Sequence, residues 1–169
     1  PSHTVPEGKI PIRISTFMGQ TGHKRVTDYA FESGDKAGLY VVNRNADGSA
    51  NPLLSEGNHV DNMGFTYNGT WVSDTPTYWE DDHTHADFSL YYPYTVTVGS
   101  VESMPFHVAA DQSTEAAYKA CDLLAGSTHD VAPTESAISI TTYHLLSQMM
   151  ITLVPGNGFT EESLAAADV

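Results

Sequence analysis

The feature that most constrains the fold of this chain is a long alternation of side chains between Phe88 and Val98. A period of two places alternate side chains on opposite faces of an extended segment, so the pattern predicts a β-strand with one buried face. Pro93 lies inside the pattern and cannot donate a backbone hydrogen bond, so we expect it to bend the strand or break it. The predicted inner face carries Phe88, Leu90, Tyr92, Tyr94, Val96 and Val98.

A second alternation, in residues 10–18, predicts a half-buried strand near the start of the sequence. Pro11 removes one backbone donor from this segment, which favours a position at the edge of a sheet. The polar and glycine-containing residues 19–25 follow, and they are typical of an exposed loop. The inner face of this strand is predicted to carry Ile10, Ile12, Ile14 and Met18.

A turn signal lies between two apolar-rich segments, at Asn68-Gly69. This pair is typical of a β-hairpin with a type I′ turn, which needs a positive φ at both positions. The continuous apolar run at residues 39–42 predicts another strand, covered on both faces. A two-residue turn places four hairpin side chains on one face, namely Phe65, Tyr67, Thr70 and Val72.

Three further segments, residues 105–108, 138–142 and 149–154, also have the composition of short strands. Residues 113–125 carry apolar side chains at helical spacing, and a short helix is an open alternative there. About seven short strands with turn signals roughly every ten residues predict an all-β fold, an antiparallel sandwich.

The charge and the single cysteine exclude several classes of protein. Seven Lys and Arg residues against 21 Asp and Glu residues give a formal charge of −14. Binding of nucleic acid needs a basic surface, so we predict no nucleic acid partner. No segment reaches the ~20 apolar residues of a membrane-spanning helix. Cys121 is the single cysteine, so it can form neither an internal disulfide nor a multi-cysteine metal site. The sequence has no initiator Met and no signal segment, so we expect any export or lipid signal to lie outside residues 1–169.

The residue types best suited to bind a metal lie in the stretch from Asp81 to Asp87. Carboxylate and imidazole groups that alternate along an extended segment project to one side, where they suit a divalent ion. The alternative is an acidic, solvated turn, because a metal site also needs ligands from elsewhere and supporting hydrogen bonds. The candidate ligands are Asp81, His83, His85 and Asp87.

Catalytic motifs are absent from the sequence: it contains no Gly-x-Ser-x-Gly elbow, phosphate loop, dinucleotide fingerprint or His-Glu-x-x-His. The residues alone therefore indicate no catalytic residue and no cofactor. We interpret His107, His129 and His144 as structural or surface histidines and Cys121 as a buried thiol. Five aromatic residues are interpreted as core and sheet surface, with stacking on sugars as the alternative; these are Tyr78, Trp79, Tyr91, Tyr92 and Tyr94.

A basic triplet, His23-Lys24-Arg25, lies in the predicted exposed loop. One interpretation is a solvated loop. The other is a cleavage site for a trypsin-like protease at Lys24 or Arg25, because proteolysis concentrates at exposed loop tips.

Four segments, in order along the chain, share their pattern with one known family. The first, residues 27–40, contains Phe31-Glu32-Ser33-Gly34-Asp35 before an apolar strand, and the second contains Tyr78-Trp79 followed by residues 86–94. The third pairs residues 111–113 with residues 122–124, and the fourth, residues 143–153, contains His144-Leu145-Leu146-Ser147 before a strand. Together they resemble the N-terminal domain of the fimbrillins, the subunits of type V pili. The chain departs from the family's pattern at Glu80, where Pro is usual, and at Gln148, where Lys or Arg is usual.

The resemblance implies a transthyretin-like, Greek-key β-sandwich, with residues 1–169 as a single domain and the family's C-terminal domain absent. It also implies a structural or adhesive subunit of a bacterial fimbria, without enzyme activity, exported as a lipoprotein to the cell surface or outer membrane. Such subunits assemble by strand exchange, in which a partner's strand fills the groove left by a removed strand. We therefore expect cleavage near Arg25 to release residues 10–18. The expected partners are other fimbrial subunits and host or bacterial surface ligands.

A second function remains open beside this one. It is a surface lipoprotein module that binds a glycan or a divalent metal through Trp79, the neighbouring tyrosines and the Asp–His stretch. An unrecognised hydrolase is a third hypothesis. A peptide copying residues 10–18 that rescues a truncated domain favours the fimbrial subunit, whereas a glycan array or a metal titration tests the binding module.

Overall fold

The computed structural model describes residues 7–19, 30–147, 154–158 and 160–166, with the side chains of Leu164 and Ala165 excepted. These residues form seven strands joined into one sheet of order β1-β7-β6-β5-β2-β3-β4, and two short helices. The elements are β1 (Ile14–Met18), β2 (Lys36–Asn43), β3 (Val60–Tyr67), β4 (Trp71–Ser73), β5 (Ala86–Tyr92), α1 (Glu115–Ala120), β6 (Leu124–Val131), β7 (Ile138–His144) and α2 (Glu161–Ala165).

The sheet is curled into a half-barrel, so that its first and last strands approach one another. The indole Nε1 of Trp71 in β4 donates a hydrogen bond of 3.0 Å to Oγ1 of Thr16 in β1. Just before β1, Pro11 forms an isolated antiparallel bridge with Tyr78. The N-terminal segment therefore lies where the two edges of the sheet meet.

The core fills the inside of the curl, and β2 runs through the middle of the sheet. Leu39 and Val41 of β2 are fully buried and belong to one cluster with Phe65, Phe88 and Leu90. Tyr40 and Val42, which alternate with them, are buried as well. The prediction of a strand covered on both faces at residues 39–42 is confirmed.

The long alternation at Phe88–Val98 forms a strand only up to Pro93. β5 ends at Tyr92, and its alternate residues Phe88 and Leu90 face the core. Beyond the proline the prediction of an inner face is wrong, because the chain leaves the sheet and Val96 is 80% exposed. The predicted break at the proline is confirmed.

The predicted hairpin is present, but its turn is longer than expected. Tyr67 of β3 pairs with Trp71 of β4, so three residues rather than two connect the strands. Gly69 alone in this loop has a positive φ, of 83°, which excludes the predicted type I′ turn. The extra residue shifts the register by one, so Trp71 is buried and Val72 is 54% exposed. The predicted shared face of Phe65, Tyr67, Thr70 and Val72 is therefore wrong.

The remaining segments divide between confirmed and wrong predictions. The helix in residues 113–125 is confirmed but short: α1 starts after Thr114, whose Oγ1 accepts a 3.2 Å hydrogen bond from the N–H of Ala117.

Residues 124–131 form strand β6, which the sequence pattern did not indicate. The strand at 138–142 is confirmed as part of β7, and residues 105–108 have no regular structure. Most of the strand predicted at 149–154 lies outside the described residues.

The all-β class is right in its main point, because strands dominate and helices are few. The antiparallel Greek-key sandwich is not confirmed. One continuous sheet is present, and its β1–β7 pair is parallel, with Ile14 opposite Ile138. An alternating pattern is the same in parallel and antiparallel strands, so it carries no information on the direction of a partner strand.

Candidate functional site

Residues 10–18 lie in a slot at the edge of the sheet, and we call this place the edge-strand slot. On one side the N–H of Ile138 donates to the carbonyl of Arg13 at 2.8 Å, and the parallel pairing with β7 continues from there. On the other side, backbone hydrogen bonds of 2.9 Å join Ile12 to Thr77 and Trp79 to Ile10. Among the described strands, β1 itself pairs only with β7 and is the end strand of the sheet, as predicted, whereas residues 10–12 just before it bond to residues 77–79.

The inner face of the slot is mainly apolar. Ile12 and Ile14 are buried in the core cluster, together with Ile138 and Ile140 of β7. Ile10 and Met18 are partly buried, and Phe17, on the opposite face, is 59% exposed. The predicted alternation of residues 10–18 is present in the structure.

One end of the slot is polar. Thr16 accepts the hydrogen bond from Trp71, and the fully buried hydroxyl of Thr142 donates to the carbonyl of Phe17 at 3.3 Å. Sequence reasoning named neither Trp71 nor Thr16 in this site. The available signal was a gap, because Thr16 interrupts an otherwise apolar face between Ile14 and Met18.

The candidate cleavage residues Lys24 and Arg25 lie in residues 20–29, outside the described part of the chain. The flanking residues are anchored. Gly19 donates a 2.7 Å backbone hydrogen bond to Thr142. On the other side, Phe31 packs edge-on against Trp71, with ring centroids 4.9 Å apart, and Glu32 pairs with Lys119 at 2.6 Å.

Of the four candidate metal ligands, Asp81 and His83 stay together in a turn before β5. Asp81 accepts hydrogen bonds from the Thr84 hydroxyl, at 2.6 Å, and from the N–H groups of His83 and Thr84, and these lower its pKa to about 2. The hydrogen bond to Asp82, at 2.9 Å, raises the pKa of His83, with a further contribution from Asp81. Ligand atoms of Asp81, Asp82 and His83 lie within 4.8 Å of one another, an exposed arrangement that is common without an ion.

The other two candidates, His85 and Asp87, face different partners. His85 Nδ1 lies 2.8 Å from Oδ1 of Asp130. Asp87 accepts 2.7 Å hydrogen bonds from Arg44 and from the N–H of Asp130. Burial opposes ionisation of Asp87, yet these hydrogen bonds and the charge of Arg44 hold its pKa below the ordinary value. The structure does not bring the four predicted ligands together.

The aromatic residues considered for sugar binding lie mostly inside the fold. Trp79 is 2% exposed and packs edge-on against Phe88, with ring centroids 5.2 Å apart. Tyr91 is buried and Tyr92 is half-buried, and burial raises the pKa of each to about 12. The interpretation of these residues as core and sheet surface is supported, and Trp79 offers no face to a sugar.

The histidines and the cysteine are placed in ordinary structural surroundings. His144 Nδ1 lies 2.6 Å from Asp122, a pair that sequence spacing did not indicate. His107 and His129 are exposed, and His129 lies 3.5 Å from Asp87. Cys121 is a buried free thiol, as predicted. The two helices in the described ranges have six and five residues, and neither could span a membrane.

Comparison with known proteins connects this fold to relatives. The model of the fimbrillin-like family matches residues 25–169. A protein described as a proposed fimbrium subunit, Fim1C of Bacteroides uniformis, is 26% identical over an alignment of 168 residues that covers 96% of this chain and 52% of the relative. The chain thus spans about half the length of this curated relative.

Solved structures of low identity share the fold. A candidate cell adhesion protein from Bacteroides ovatus matches 79% of this chain and 52% of its own, with a TM-score of 0.56 and 18% identity. A fimbrial protein from the same species matches 80% and 28%, with a TM-score of 0.52 and 21% identity. A candidate cell adhesion protein from Bacteroides uniformis matches 83% and 49%, with a TM-score of 0.51 and 19% identity. Since the family model matches most of its length, the chain belongs to the fimbrillin-like family.

Proposed function

We propose that this chain is a structural subunit of a bacterial surface fimbria, assembled by β-strand exchange. Membership of the fimbrillin-like family and the likeness to a fimbrium subunit support the fimbrial role. The proposal includes export to the cell surface as a lipoprotein, a single domain at residues 1–169, and other fimbrial subunits as partners. It is a structural role rather than an enzymatic one.

The observation that carries strand exchange is the edge-strand slot. β1 is the end strand of the sheet, yet the segment it belongs to places Ile12 and Ile14 in the core. Removal of residues 10–18 would expose Ile138 and Ile140 together with a row of unpaired backbone groups on β7. Such an edge pairs readily with another chain, because a new strand satisfies its hydrogen bonds and covers its apolar floor.

In the proposed sequence of events, a protease cuts at Lys24 or Arg25 and the first strand leaves. A strand of a neighbouring subunit then takes its place. Phe31 contacts Trp71 and Glu32 pairs with Lys119, and these contacts would hold the new N-terminal segment of the cut chain against the rest of the fold.

Limited trypsin digestion tests this sequence of events. The folded protein is digested briefly, and the products are measured by mass spectrometry and size-exclusion chromatography. We expect early cleavage at Lys24 or Arg25, loss of the first strand, and then growth of oligomers, because the open slot of one molecule takes up a strand from another.

The matched control is a double variant, Lys24→Gln with Arg25→Gln. It should resist this cleavage and stay monomeric under the same conditions. A wild-type protein that remains uncut at both residues, or that is cut and stays a stable monomer, would contradict the proposal and direct the search to soluble ligands.

A further inference from the structure

Two buried hydrogen-bond donors face the strand that occupies the edge-strand slot. One is the hydroxyl of Thr142, which is fully buried, and the other is the indole N–H of Trp71, whose residue is 7% exposed. Both find their acceptors on β1. A buried donor that loses its acceptor destabilises the structure. Any strand that lies in the slot must therefore supply an acceptor to each of these two donors.

The two requirements differ in kind. Thr142 donates to the backbone carbonyl of Phe17, a group that every occupying strand supplies. Trp71 donates to the side-chain oxygen of Thr16, a group that only some residues supply. Trp71 therefore distinguishes between strands by their sequence, whereas Thr142 does not.

The indole of Trp71 is held in place by its neighbours. The ring of Phe31 packs edge-on against it, and the ring of Tyr67 lies 5.2 Å from it, centroid to centroid. Because the indole is enclosed on these sides, a strand without an acceptor leaves the N–H unpaired in a largely buried place.

We propose that Trp71 is a specificity-determining residue of the slot, and that a partner strand must carry a side-chain hydrogen-bond acceptor, best a hydroxyl, in the place of Thr16. This place lies opposite Ile140 of β7. The proposal rests on the proposed function, because it names the chemistry of the strand that is exchanged.

The rest of the slot completes the description of the partner strand. Apolar, β-branched side chains fit the places of Ile12 and Ile14, which are buried in the core. The side chains of Ser15 and Phe17 face outward. Because Phe17 is exposed, we expect these two positions to accept many different residues in a partner strand. The expected partner segment is an extended strand with two apolar residues and then a hydroxyl residue, each two positions apart.

Two substitutions in the intact chain test the contact itself. Thr16→Val keeps the shape and removes the acceptor, whereas Thr16→Ser keeps the acceptor and serves as the matched control. Each tryptophan side chain gives one indole N–H resonance by NMR. Trp79 provides an internal reference, since its indole N–H has no hydrogen-bond partner among the described residues. Thr16→Val should move the Trp71 resonance toward that of Trp79 and leave the Trp79 resonance unchanged.

Peptide competition tests the selection of a partner. Trypsin-digested protein, after the protease is inhibited, is incubated with labelled peptides that copy residues 10–18 with Thr, Ser or Val in the place of Thr16. Loss of a hydrogen bond to a buried donor predicts binding about ten- to a hundredfold weaker for the Val peptide than for the Thr peptide. The Ser peptide should bind within a few-fold of the Thr peptide.

The outcomes separate the two proposals. Preference for the Thr and Ser peptides, together with the shift of the Trp71 resonance, supports the selection by Trp71. Equal binding of the Thr and Val peptides, or an unmoved Trp71 resonance in Thr16→Val, overturns the selection and leaves strand exchange intact. If no peptide binds the digested protein, the proposal of strand exchange is overturned, and the proposed chemistry of the partner strand falls with it.

Discussion

Asp81 stabilises the turn before β5 by accepting three hydrogen bonds, one from the hydroxyl of Thr84 and two from backbone N–H groups. All three favour the ionised carboxylate, and for this reason the pKa of Asp81 falls to about 2. A carboxylate with such bonds acts as a cap for the turn. This structural role accounts for the low pKa of Asp81 without a metal ion. It also makes the stability of the protein depend on pH.

We expect Asp81→Asn to weaken the dependence of stability on pH in acid. The pKa of Asp81 is lower in the folded protein, about 2, than the ordinary value of 3.8. Its contribution is therefore fully present above about pH 4 and is lost as the pH falls toward 2. Urea midpoints at several pH values across this window should fall less steeply for the variant than for the wild type.

The control for this measurement is Glu56→Gln, because Glu56 is exposed and has no hydrogen bond or ion pair among the described residues. Its acid profile should match that of the wild type. An Asp81→Asn profile with the wild-type slope would show that the turn does not depend on this carboxylate.

Among the structural elements, the β3–β4 hairpin depends on one glycine. Gly69 has a φ of 83°, and a side chain added there would meet no atom within 4 Å. Any effect of a substitution therefore comes from the backbone rather than from a clash. The hairpin also places Trp71 beneath β1, so its geometry reaches the edge-strand slot.

We expect Gly69→Ala to reduce the free energy of unfolding by about 1–2 kcal/mol, the usual cost of a left-handed backbone for a residue with a side chain. Gly99→Ala is the matched control, because Gly99 also has open space around it but no positive φ. Urea unfolding of the two variants gives the comparison. A similar effect of both substitutions would contradict the backbone explanation.

At this scale the sequence predicts where strands lie better than which faces they bury or which strands they pair with. The alternation of residues 10–18 and the turn at Gly69 identified β1 and the hairpin correctly. The loop length was not predictable, because an Asn-Gly pair is compatible with loops of two or three residues and one residue reverses the faces. β6 was missed since its small and polar residues, such as Gly126 and Ser127, lack an alternating pattern. The sequence predicted the strand that lies in the slot but not the residues that line it. The contact of Thr16 with Trp71 joins segments distant in sequence, so no local pattern indicates it.

For the whole molecule, the net charge governs how closely two copies of the chain approach one another. The chain carries a formal charge of −14, and several of its few cations are already paired within the described residues. Lys36 pairs with Asp74, Arg44 with Asp87 and Lys119 with Glu32. Two copies of the chain therefore repel one another, and any assembly needs attractive contacts at short range to exceed this repulsion.

We expect salt to accelerate the assembly of trypsin-digested subunits. The range of electrostatic repulsion falls from roughly 30 Å at about 10 mM salt to about 8 Å at about 150 mM. Light scattering at the two salt concentrations should show faster growth at the higher one. The undigested chain, as the control, should scatter equally weakly at both, and slower growth with added salt would contradict this expectation.

The parallel pairing of β1 with β7 has a consequence for the order in which the chain folds. Ser15 and Ser139, which lie side by side in these strands, are separated by 124 residues in sequence. Hairpins such as β3–β4 join neighbouring segments, whereas this pair must close a very long loop, so we expect it to form late. We therefore expect the slot of a newly made molecule to stay open until its own first strand pairs with β7. The covalent tether gives that strand a high effective concentration, so we expect each molecule to close its own sheet before a second chain can do so.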